Sequence, residues 1–159
     1  MSENIKKLIV AIVICQLAGV IGGLFTGSAI PTWYQTIKKP AFNPPNWIFG
    51  PVWTLLYLLM GISLYLIWKS GGPGKAKTIA MTVFFVQLAL NILWSFLFFF
   101  LKNPLAGFIE IIVLWIFILV TILLFYPLSK LGSLLMIPYI LWVSFAAVLN
   151  YFLWYLNKG

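Results

Sequence analysis

Apolar residues run through this chain in five long blocks, 8–27, 47–68, 78–101, 104–126 and 131–156, separated by short segments where lysine, proline, glycine and asparagine collect. A helix needs about 20 apolar residues to cross a hydrocarbon core of roughly 30 Å, and each block is long enough. Lipid offers no partner to exposed backbone N–H and C=O groups, so blocks of this length read as helices that satisfy their own hydrogen bonds. The pattern predicts an all-α fold, a bundle of five transmembrane helices forming one domain over 1–159. The first connection, 28–46, carries Pro31, Pro40, Pro44 and Pro45 and cannot be regular helix.

Composition supports the membrane reading. Hydrophobic residues make up 64% of the chain and charged ones 8%, against about 25% charged in an ordinary soluble domain. A soluble fold and a disordered chain are both excluded. With no histidine and Cys15 as the single cysteine, Ser-His and Cys-His catalysis, a histidine zinc site, a proximal haem ligand and a disulfide scaffold are excluded as well.

The net charge of +8 comes from ten lysines against Glu3 and Glu110. The lysines sit at the ends of the apolar blocks rather than along one stripe, which fits ammonium groups meeting lipid phosphates and implies no nucleic-acid partner. Six of them, Lys6, Lys7, Lys69, Lys75, Lys77 and Lys130, fall on the N-terminal side and four, Lys38, Lys39, Lys102 and Lys158, on the other. That bias leans toward an inward N-terminus. The first block is longer than the apolar core of a signal peptide and is expected to stay as a crossing.

Residues four apart share a helix face. The second block then carries an aromatic stripe (Phe49, Trp53, Tyr57, Gly61, Tyr65), the third a polar one (Gln87, Asn91, Ser95, with Trp94 adjacent), and the fifth Trp142, Ala146 and Asn150, with Tyr139 and Phe145 beside them. Alternate helices run in opposite directions, so the depths of Trp53, Asn91, Glu110 and Asn150 can be compared. All lie roughly 9–15 Å below the face that bears the proline-rich loop. Polar groups at that depth must face inward. Either they bond helix to helix as packing glue, or they line one cavity under the loop; their shared depth favours the cavity. Gly19, Gly23 and Gly27 form a double G-x-x-x-G, suited either to close packing within the molecule or to dimerisation. Glu110 is the single acid inside a block and a functional candidate, a proton or ion pathway included. Leu153-x-Tyr155-x-x-Lys158 satisfies a loose sterol-contact pattern but reads better as an interfacial Tyr/Lys pair.

The run Trp33-Tyr34, Lys39-Pro40, Pro44-Pro45, Phe49, Trp53 and Tyr57, with Gln87-Leu88-Ala89-Leu90-Asn91 and Trp94, and then Pro138-Tyr139, Trp142, Phe145-Ala146 and Leu149-Asn150, resembles the tryptophan-rich sensory protein and translocator protein (TspO/MBR) family over nearly the whole chain. The resemblance implies a five-helix, commonly homodimeric membrane protein of a prokaryotic cell membrane, with the lipid bilayer as its setting. It also implies a pocket for porphyrins (tetrapyrroles) or other flat apolar ligands under the first loop. The ligand-binding residues it points to, together with those of the stripes, are Trp33, Tyr34, Pro44, Trp53, Tyr57, Asn91, Trp94, Trp142, Ala146, Leu149 and Asn150. No cofactor is required; porphyrin is a ligand or a substrate. A receptor or carrier is the first functional reading. A light-dependent porphyrin oxidation would put Trp53 and Trp142 in catalytic roles, and a scaffold or regulatory protein would use the polar groups only to lock helices.

Overall fold

The computed structural model describes residues 2–159, and all of its regular structure is helical. Helix α1 spans Glu3–Ala29, α2 Phe49–Trp68, α3 Gly74–Ser95, α4 Pro104–Phe125, α5 Lys130–Leu134 and α6 Ile137–Asn157. Five helical stretches, Glu3–Ala29, Asn46–Trp68, Gly74–Phe100, Pro104–Phe125 and Lys130–Asn157, are long and apolar enough to cross a membrane.

The boundaries depart from the sequence pattern where caps and proline intervene. The Ser2 hydroxyl accepts from the Ile5 N–H at 3.2 Å, so α1 starts ahead of the apolar block. Beyond α3 the chain widens into a π turn over Phe96–Phe100, and the Leu101 N–H bonds to the Phe96 carbonyl at 2.9 Å. Lys102, at φ 54°, then takes the left-handed conformation that reverses the chain. Asn103 caps α4, accepting from the Ala106 N–H at 3.1 Å ahead of Pro104 in the first turn. The fifth crossing is not one helix. Pro138 has no N–H to give and fits only a first turn, so α6 begins beside it and the short α5 precedes the break. Ser63 and Ser133 fix α5, donating to the Gly132 carbonyl at 2.6 Å and the Ile122 carbonyl at 2.7 Å.

Helix α1 packs chiefly along α2, and α3 along α4, which in turn meets α6. Glycine makes the first of these contacts possible. A Cβ at Gly61 would stand 2.7 Å from the Ile12 Cα, and one at Gly19 would stand 2.7 Å from the Tyr57 ring. The G-x-x-x-G run therefore serves packing within the molecule at Gly19, whereas Gly23 and Gly27 have nothing within 4 Å of where a Cβ would sit.

A buried polar relay joins the other helices. The Tyr57 hydroxyl donates to Asn91 Oδ1, Asn91 Nδ2 donates to the Tyr139 hydroxyl at 2.8 Å, and that hydroxyl donates to Gln87 Oε1 at 2.7 Å. Gln87 Nε2 ends the chain against the Met60 sulfur at 3.9 Å. One level nearer the first loop, Trp94 Nε1 donates to Asn150 Oδ1 at 2.9 Å, and Asn150 Nδ2 donates to the Pro104 carbonyl at 2.8 Å. The residues grouped by counting along antiparallel helices do not bond to one another: Asn91 meets Tyr57 and Tyr139, Asn150 meets Trp94 one level nearer the loop, and Glu110 has no partner.

The first loop is anchored rather than free. Tyr34 is buried against Phe49 and Phe99, with ring centroids 6.5 and 5.8 Å away, and donates to Asn43 Oδ1 at 2.8 Å. Burial pushes its phenol up to about 12, the Asn43 bond opposing part of the rise. Asn157 at the end of α6 accepts from the Lys38 N–H at 2.9 Å and donates to the Lys38 carbonyl at 2.8 Å. That places the loop and the C-terminal end of the bundle on one face, as an odd number of crossings requires.

Two outcomes follow for stability. Gly61→Ala drives a methyl into the α1 backbone and is expected to cost about 1–3 kcal/mol, whereas Gly23→Ala meets nothing and leaves the protein as stable or slightly more so; equal thermal midpoints for both variants in one detergent would contradict the packing described. Asn91→Leu strands the Tyr57 hydroxyl and breaks a bond to Tyr139, for a loss of about 1–3 kcal/mol in mixed-micelle unfolding, and an unchanged unfolding curve would show that the relay does not hold the helices.

Candidate functional site

Above the Gly19–Tyr57 contact, α1 and α2 separate, and a cavity of about 370 Å³ lies between α1, α2 and the loop-side end of α3. One wall is the backbone of α1, laid bare by Gly19, Gly22, Gly23 and Gly27. The facing walls are aromatic: Phe49, Trp53 and Tyr57 of α2, and Trp94 and Phe99 from α3 and its π turn. Ile30 and Asn46 at the ends of the loop complete it. Its margin includes exposed Val20, Gly23, Gly27, Gly50 and Thr54, so the cavity opens sideways between α1 and α2. Gln16 closes that opening lower down by donating to the Thr54 carbonyl at 3.2 Å.

The rings are positioned by their own packing. Trp53 lies 5.7 Å from Tyr57 and 6.4 Å from Tyr139 between centroids, so the relay that fixes the two tyrosines also fixes the indole. Trp94 is held by Asn150 through its N–H and stacks on Phe98 at 5.3 Å. The polar side chains of the lining are largely spoken for. Thr26 and Thr54 donate to the carbonyls four residues back, and Tyr57 is committed to Asn91. The walls carry no ionised side chain, and their chemistry is stacking, apolar contact and a few hydrogen bonds.

Of the residues singled out from sequence, Trp53, Tyr57 and Trp94 line this cavity. Asn91 and Asn150 stand behind it, their amides consumed in holding Tyr57, Tyr139 and Trp94. Trp142 is separated from it by Phe49, whose ring is 6.3 Å away. Its Nε1 is buried without a partner. Ala146 and Leu149 are buried in helix packing on α6. Tyr34 supports the roof through Phe49 and Phe99, and Pro44 lies in the loop next to Asn43, whose amide donates to the Pro44 carbonyl at 3.2 Å. Trp33 faces a second recess of about 390 Å³ on the loop side, shared with Lys102, Asn103, Trp154 and Asn157. Glu110 is buried on α4 with neither carboxyl oxygen bonded, and it is not part of either lining.

Sequence reasoning did not gather the α1 wall, Phe99, Asn46, Thr54 or Ser95 into the site. The signal available for the wall was the glycine run itself, which reads equally as a packing seam; for Ser95 it was the polar stripe on α3.

A profile described as the TspO/MBR family matches residues 11–156. The tryptophan-rich protein TspO of Archaeoglobus fulgidus is 48% identical over 154 residues, covering 97% of this chain and 99% of that one. The protein of the same name from Chlorobaculum tepidum is 41% identical over 157 residues, 99% of each. The translocator protein of Ovis aries is 37% identical over 128 residues, 80% of this chain and 76% of the sheep protein. With five helices able to cross a membrane, the tryptophan-bearing segments in their expected order and likeness along almost its whole length, this multi-pass membrane protein belongs to the TspO/MBR family.

Proposed function

We infer that this protein is a membrane receptor or carrier that takes a flat, largely apolar ligand, of which a porphyrin is the leading class, into the cavity between α1, α2 and α3. The observation that supports this most is the shape and chemistry of that cavity: a smooth glycine wall faces Trp53, Phe49 and Phe99 across a slot of about 370 Å³. A planar ring system gains contact on both faces there, backbone on one side and indole or phenyl on the other. The volume lies toward the lower end for ligand sites, so a full tetrapyrrole extends out through the gap beside Gly23 and Gly27. Its carboxylates find no partner in the walls and belong at the loop face. There Lys39 is already engaged with the Ile37 carbonyl at 3.1 Å and with the Tyr34 ring, which leaves Lys38 for the ligand. The sideways opening suits a ligand that arrives dissolved in the bilayer, and a prokaryotic cell membrane is the setting inferred for it.

Titration of the purified protein with protoporphyrin IX, followed by tryptophan quenching, tests the reading. Trp53→Ala is expected to weaken binding about tenfold through lost stacking and apolar contact. Gly23→Phe, whose Cβ has nothing within 4 Å, is expected to fill the slot and abolish binding without lowering the unfolding midpoint. Wild-type affinity in both variants would refute this site.

A further inference from the structure

Ser95 is the buried hydroxyl that the fold leaves unsatisfied. Four Ser and Thr side chains are buried: Ser63, Ser95, Thr121 and Ser133. Ser63 and Ser133 donate to carbonyls of neighbouring segments, and Thr121 donates to the Phe117 carbonyl one turn back. Even the more exposed helical hydroxyls of Thr26, Thr54, Thr82 and Ser144 take a carbonyl four residues back. Ser95, only 7% exposed, makes no such bond among the described residues.

Its place gives the free hydroxyl something to face. Ser95 closes α3, where the helix widens into the π turn at Phe96–Phe100, and it lines the cavity opposite the bare backbone of α1; its Oγ is 3.3 Å from where a Gly22 Cβ would sit. Widened turns of this kind are frequent at functional sites. A hydroxyl can go without an acceptor role at little cost, but its single proton, with no protein acceptor, is left to be paired by whatever enters the cavity.

We propose that Ser95 is a specificity-determining contact, donating its proton to a hydrogen-bond acceptor on the edge of the bound ring, such as a carbonyl oxygen or an unprotonated ring nitrogen. This rests on the ligand reading above and adds a chemical requirement to it: flatness and apolarity admit a molecule to the slot, and one acceptor at the edge nearest α3 selects it. Of the other polar tips in the lining, Tyr57 and Trp94 are committed to Asn91 and Asn150, whereas Trp53 Nε1 and the Asn46 amide, on α2 and at the end of the loop, face other parts of the ring's edge than Ser95 on α3.

Fluorene and fluorenone share a tricyclic frame and differ by one carbonyl. Equilibrium binding of the two tritiated compounds is measured on the wild type and on Ser95→Ala in identical nanodiscs, so that partitioning into lipid cancels between proteins. The wild type is expected to favour fluorenone over fluorene by roughly three- to tenfold more than Ser95→Ala does, with fluorene binding within about twofold in the two proteins, since the hydrocarbon cannot use the hydroxyl. An equal preference in both proteins overturns the Ser95 assignment and leaves the cavity standing as a ligand site. Failure of both compounds to bind the wild type overturns the cavity reading and the Ser95 contact with it.

Discussion

Hydrocarbon supplies no hydrogen bonds, so every polar side chain carried into this bundle must be satisfied by another crossing or pay for its isolation. The relay from Tyr57 through Asn91 and Tyr139 to Gln87 is the main consequence. It draws α2, α3 and α6 together at one level, and the Trp94–Asn150–Pro104 bonds do the same for α3, α6 and the start of α4 one turn nearer the loop. These bonds determine where the cavity is not: the space among α2, α3 and α6 is filled by the relay, and the open volume lies on the α1 side of Tyr57.

Helix α1 takes the opposite role. Its polar groups reach α2 through Gln16 and, near its start, through Lys7 over the Trp68 ring, and it approaches α2 on glycine contacts at Gly19 and opposite Gly61. Beyond Gly19 it leaves α2 for α3, with Gly22 facing Ser95 and the Phe25 ring 5.4 and 5.6 Å from Phe96 and Phe100, while its outward face, from Ile5 through Leu24, remains exposed to the surroundings of the bundle. The loop keeps this splay from collapsing. Tyr34 wedges beneath it between Phe49 and Phe99, and Asn157 clamps Lys38 from the far side. A slot walled by glycine and aromatic rings results from helices joined by polar bonds on one side and a neighbour packed on glycine contacts on the other.

Much of this was legible in the chain. Block length alone revealed five crossings; counting along antiparallel helices grouped Trp53, Asn91, Glu110 and Asn150, whereas the structure holds Asn150 one level nearer the loop than Asn91 and leaves Glu110 unbonded. The resemblance carried by the tryptophan-bearing segments is matched by the family relationship itself. Helix periodicity could not reveal which helix stands opposite a given face. Asn91 and Asn150 read as cavity groups and are structural because Tyr57, Tyr139 and Trp94 happen to lie across from them. Gly23 and Gly27 share a motif with Gly19 yet border empty space, because α2 diverges between them. Block length concealed the break beside Pro138 in the fifth crossing. The missing partner of Ser95, a residue at regular α-helical φ −60° and ψ −39°, has no pattern of its own in the residues.

The central claim is that the ligand slot lies against the glycine face of α1 and not among Trp142, Ala146 and Leu149 on α6. A porphyrin bearing a diazirine on its ring edge, photolysed in the protein and mapped by mass spectrometry, tests this most directly. Adducts are expected on residues 19–27 and on Trp53 or Phe99. Adducts confined to Ala146, Leu149 and their neighbours on α6, with none on α1, would contradict it.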